Sequence, residues 1–148
     1  MTSKRWSDPS TLFALSLLLV GAVFQPAHAN KGLPPTGYRA MTLTLDQDQV
    51  RFIKPGQHVD VLVTFDALMK SDVKEKVTAT ILQNVLVLDV GKSEEKGKGF
   101  LLLVLNPNES QYLALSIDAN YKLRVAHRNM GDTKMKPLEM ASFRKLFR

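Results

Sequence analysis

The residues that could do chemistry in this chain are few and poorly grouped. His58 precedes Asp60 by two, so in a strand both side chains leave one face, a spacing that suits an acid–base pair or two ligands of a metal. A zinc site needs three or four protein ligands. Nothing adjacent supplies a third, so the expected reading is a solvent-facing polar pair beside a turn. His127 stands next to Arg128 and is expected at a surface strand end, while His28 lies in the leader considered below. Glu94 and Glu95 are adjacent in a lysine-rich loop and point apart, whereas acid–base catalysis needs groups held in a fixed geometry. Gly97-Lys98-Gly99 has the composition of a phosphate loop without its strand–loop–helix frame. There is no Gly-x-Ser-x-Gly elbow. Cysteine is absent, which excludes disulfides, thiol catalysis, thiolate metal sites and a lipid-modified cysteine. The expectation is a chain with no catalytic, cofactor-binding or metal site, and not an enzyme.

The N-terminus says where such a chain works. Lys4 and Arg5 precede an apolar run from Leu12 to Phe24; Pro26 breaks it, and Ala27-His28-Ala29 places small residues at the two positions a signal peptidase reads. The run is well short of the ~20 residues of a spanning helix. Residues 1–29 are therefore expected to be a signal peptide cut between Ala29 and Asn30, with release into the periplasm of a Gram-negative bacterium. The alternative is an inner-membrane anchor through uncleaved residues 12–24. Taking 29 residues from 148 leaves 119, the size of one compact domain. Lys4, Arg5 and Asp8 go with the leader, so 20 basic and 14 acidic residues become 18 and 13, a net charge of +5. That balance favours anionic partners such as cell-wall polymer, lipid head groups or an acidic protein surface. The runs Lys70–Lys76 and Lys92–Lys98 are mixed in sign and read as solvated loops. Nucleic acid is not expected, because no basic–aromatic motif is present.

The elements that would position these residues are mostly strands. Lys31–Gly37 is a stiff, turn-rich lead-in. Tyr38–Leu45 alternates, with Met41, Leu43 and Leu45 on the buried face. Lys54-Pro55-Gly56-Gln57 reads as a tight turn feeding Val59–Phe65, where Val59, Val61, Val63 and Phe65 share a face. Ala67–Lys76 reads as a loop. Val77–Val90 is too long for one ordinary strand, which predicts a bend or bulge near Gln83-Asn84. Gly91–Gly99 is a polar hairpin, and Phe100–Leu105 a strand buried on both faces. Asn106 then offers a helix cap, with Pro107 suited to the first turn and Glu109 three residues after the cap. That helix is expected over about 107–119, with Tyr112, Leu113, Leu115 and Ile117 as its apolar stripe. Tyr121–Ala126 alternates as a strand, and Asn129-Met130-Gly131-Asp132 is a turn. The tail, 133–148, is expected to form a short amphipathic helix through Leu138, Ala141, Phe143, Leu146 and Phe147, whose basic side could touch a membrane only weakly or indirectly. The fold class is α+β, mostly β: one compact domain with one firm helix.

Five of these stretches, in order, resemble the CpaB/RcpC family of Flp (Tad) pilus assembly proteins. Gly37–Thr42 followed by Phe52–Leu62 is similar to its opening signature, through Arg39, Pro55, Gly56 and Asp60. Thr80–Leu88, completed by Gly91, resembles its central strand, through Gln83 and Asn84. Leu103–Leu115, with Asn106, Pro107 and Glu109, is similar to its helix, and Leu123–Asp132 to its closing motif, through Arg128, Asn129, Gly131 and Asp132. These residues are expected to be structural. The similarity runs over 37–132. It implies a non-enzymatic pilus or secretion component acting with an outer-membrane secretin, without cofactor. The family also carries an SAF-type β-rich segment ahead of the first motif and an uncleaved anchor; the leader here runs almost directly into the motif, so that segment is expected to be missing or reduced to its last strand. His58 stands where the family has arginine, which argues against its being a family ligand. Flagellar chaperones built on SAF-like domains supply the alternative, a periplasmic chaperone or peptidoglycan-binding module. A sugar-acid synthase, which also uses SAF-type segments, is the weakest option because no acid–base cluster is present.

Overall fold

A computed structural model describes residues 32–68 and 72–147. In chain order the elements are β1 (Arg39–Asp46), α1 (Gln47–Val50), β2 (His58–Leu68), β3 (Lys74–Lys92), β4 (Lys98–Leu105), α2 (Pro107–Asp118), β5 (Lys122–His127), β6 (Ala141–Ser142) and α3 (Phe143–Leu146). They make one six-stranded sheet in the order β1-β4-β3-β2-β5, with β6 added to β3, and every pairing is antiparallel. The chain is α+β and mostly β, as the alternating patterns predict.

The sheet curls because β3 bends. Val61 and Val59 of β2 face Leu82 and Val85 of β3, so Asp60 alone on one strand opposes two residues on the other; a further slip separates Val61 from Leu62. The two residues opposite Asp60 are Gln83-Asn84, where the bulge is predicted, and Asn84 takes a positive φ of 57°. Bulges bend a strand and increase its twist. Each slip also resets which side chains point inward, so Val77, Leu82, Val85 and Val87 are all buried despite their uneven spacing. The result is an open barrel. Leu43 and Leu45 of β1 enter the same core as Val59, Val61, Leu101, Leu103 and Leu105, and Leu123 and Val125 of β5 pack against it from the opposite end of the strand order.

α2 closes one opening of this core with a single fully buried side chain, Leu113. It starts at a complete capping box: the Glu109 N–H donates to Asn106 Oδ1 at 2.9 Å, and the Asn106 N–H to Glu109 Oε2 at 2.8 Å. Apart from Leu113, the expected stripe is not buried. Tyr112 is 61 %, Leu115 67 % and Ile117 40 % exposed, because a helix lying across the mouth of a small barrel inserts one side chain rather than a whole face. α1, not anticipated, brings Val50 onto Gly99, where any Cβ would overlap the valine. Three other expectations change. The 67–76 loop is shorter, since β2 runs on to Leu68 and β3 starts at Lys74. In the nominally double-buried strand, Phe100 and Leu102 are only half-buried, while Val104 on the same face is buried. The tail's short helix is confined to the four-residue α3, and just ahead of it Ser142 and Ala141 pair with Val77 and Thr78. β3's open edge draws this pair into ladder hydrogen bonds that a helix could not make.

Candidate functional site

Three of the five family-like motifs meet at Asp60. It stands on β2 opposite the bulge, where its Oδ1 accepts from the Asn84 N–H at 2.8 Å and from Arg128 Nη1 at 2.9 Å. The carboxylate satisfies an N–H that the bulge removes from the ladder, and so fixes where the bulge forms. Arg128 leaves the end of β5, its backbone N–H donating to the His58 carbonyl at 2.9 Å. Its guanidinium donates from Nε to the Asp132 carbonyl at 2.9 Å and from Nη2 to the Lys134 carbonyl, and it pairs with Asp132 Oδ1 at 3.1 Å. The side chain is only 7 % exposed. A planar fork of five donors suits this gathering of acceptors, which lysine could not serve. The bond from Arg128 holds the Asp132 carboxyl below the usual range, outweighing partial burial. The intervening turn closes through the Asp132 N–H to the Asn129 carbonyl at 3.1 Å, with Gly131 at φ 82°. Gln83 then clamps Lys136 on both sides, donating to its carbonyl at 2.8 Å and accepting from its N–H at 3.1 Å.

The structure thus brings Asp60, Gln83 and Asn84 together with Arg128, Asn129, Gly131 and Asp132. The Pro55-Gly56 turn lies beside them, the Gly56 N–H donating to the Val87 carbonyl at 2.8 Å. Asn106, Pro107 and Glu109 sit at the start of α2, and a cleft of about 450 Å³ lined by Asn106, Glu109 and Asn84 separates them from the bulge. Arg39 stays apart at the start of β1, its Nη1 donating to the Tyr38 carbonyl at 3.2 Å. Ala29 and Asn30 lie outside the described residues. His58 and Asp60 are not the solvent-facing pair expected of them: the half-buried carboxylate is taken by Arg128 and the bulge. Sequence reasoning missed the tail's part in the site, because Lys134 and Lys136 enter through backbone groups that carry no side-chain signature.

Beside the node lies an open cleft of about 720 Å³ whose lining includes Gln57, His58, His127, Asn129, Met130 and Thr133. Among the described residues no three histidines, aspartates or glutamates are placed to hold a metal. What the cleft offers is hydrogen bonding from its imidazoles and amides and one exposed apolar side chain, Met130. Among the described residues no helix is long and apolar enough to cross a membrane.

The family model of the Flp pilus assembly protein RcpC/CpaB matches residues 32–128. No curated protein and no solved structure matches the chain. The matched span runs from the lead-in through β1 to β5 and ends on Arg128, the residue that ties those strands to the bulge. With residues 32–128 of 148 matched, the chain belongs to the RcpC/CpaB family of Flp pilus assembly proteins.

Proposed function

We propose that the chain is a non-enzymatic, exported component of the Flp pilus machinery that works in the periplasm alongside the outer-membrane secretin. Family membership implies a role in Flp pilus assembly and a place in the cell envelope. One observation supports the scaffold reading: most polar residues of the family-like motifs, Arg39 apart, hold the bulge, the tail and α2. The leader supports export, and Ala29–Asn30 is the proposed cleavage point. Affinity purification of the full chain from envelope extracts after mild cross-linking tests this. Recovery of the secretin or another pilus component is expected; extracts that yield none would overturn it.

The cleft beside His58 and His127 favours one rival, a periplasmic glycan-binding module. Its amide and imidazole lining suits sugar hydroxyls, and a net charge of +5 after cleavage suits cell-wall polymer. Salt-sensitive sedimentation with isolated peptidoglycan, abolished by His58→Ala with His127→Ala, would favour that rival.

A further inference from the structure

The sheet's two ends, β1 and β5, line one cleft without pairing with each other. β1 pairs with β4 along all eight residues, and β5 with β2 along six. Among the described residues neither has a partner on its other edge. In an antiparallel ladder every second residue turns its N–H and C=O to the same edge, so each strand presents a row of unpaired donors and acceptors. Residues 42–46 of β1 and the first two residues of β5, Lys122 and Leu123, line one cleft of about 450 Å³ that also includes Gln49, Ile117 and Tyr121. Three further features say what fits. Gln49 Oε1 is buried there with no donor. Ile117 and Tyr121, 40 % and 42 % exposed, form an apolar wall where α2 meets β5. Lys122, with Arg124 two residues along the same face, forms no ion pair among the described residues, whereas Lys98 at the cleft's end is neutralised by Asp46 at 2.9 Å.

We infer that this cleft is a strand-acceptor site, taking one extended segment of a partner polypeptide whose residues alternate between apolar and acidic. The unpaired edges call for a peptide backbone. The inner face of the inserted strand continues the Leu43, Leu45 and Leu123 surface and is apolar; its outer face lies between the Thr42–Thr44 hydroxyls and Lys122, and is acidic. A second folded copy does not fit, because its edge strand would bring a whole sheet against the opposite wall. The inference deepens the pilus-assembly reading by naming a surface for its partner, and its test uses purified components, so a negative result leaves the co-purification standing.

The probe is an acetylated nonapeptide alternating valine with glutamate, added to the purified full chain and read by hydrogen–deuterium exchange. Binding is expected to slow about four amides within Arg39–Asp46, half of that strand, and amides of Lys122–His127. Methylating alternate backbone nitrogens of the peptide should abolish the protection while leaving its side chains unchanged. Lys122→Glu, an exposed position, should weaken the glutamate peptide about fivefold and strengthen a lysine-for-glutamate version. The inference is overturned if the methylated peptide protects equally, if protection is confined to Pro107–Asp118, or if the peptide protects nothing at millimolar concentration. It is equally overturned if Arg39–Asp46 becomes protected without peptide as protein concentration rises, which would make the occupant a second copy.

Discussion

Asp60 and Arg128 are separated by 68 positions and joined at 2.9 Å, so substitutions at either test a long-range polar tie of the fold. Asp60→Ala leaves a nearly buried guanidinium without its main partner and the Asn84 N–H without an acceptor; Asp60→Asn keeps an acceptor and loses only the charge. Thermal melts should therefore rank wild type above Asn above Ala, and equal melting of the two variants would mean that the bulge N–H is indifferent to its acceptor. The pH dependence comes from Asp132. Its folded pKa is depressed by Arg128, so the carboxylate contributes stability that is fully present above its unfolded value of about 3.9 and is lost as pH falls through the lower folded value. Wild type should outmelt Asp132→Asn at neutral pH, with the gap closing below about pH 4. Half-exposure keeps the effect small, and a gap that does not change with pH would contradict it.

At the scale of elements, the beginning of α2 and the turn before β2 carry separate predictions. Asn106→Ala removes one half of a complete capping box and should cost about 1 kcal/mol, with Glu109→Ala coupled to it in a double-mutant cycle. Two silent substitutions would mean that the helix is held by Leu113 alone. Gly56 has φ 86° with open space where a Cβ would go, so its constraint is conformational rather than steric. Gly56→Val should destabilise by roughly 1–3 kcal/mol through backbone strain, and a variant that melts like wild type would show that the turn relaxes. These devices were legible because each is written within a few residues: the cap and its glutamate, proline before glycine, an overlong β-branched run broken by Gln83-Asn84. The exposed face of α2 was not legible. Tyr112, Leu115 and Ile117 have helical spacing, and spacing says nothing about whether the surface beneath is large enough to cover them. The tail's strand pairing was not legible for a related reason: its helical pattern is local, while the Gln83 clamp on Lys136 spans 53 positions.

For the whole molecule, the bends in β3 convert a flat antiparallel sheet into an open barrel with one core and two unpaired ends, and the Asp60–Arg128 node locks the bend. That architecture suits a part whose work is to hold a surface steady for other proteins. Its mostly-β class and polar motifs were readable from the chain, whereas the facing of β1 and β5 arises only once the sheet has curled. The most direct test is pilus assembly itself, in a strain from which this chain has been deleted. Surface pili should be lost, restored by the wild-type chain, and restored by His58→Ala with His127→Ala, which leaves the scaffold intact. Full piliation in the deletion strain would contradict the account.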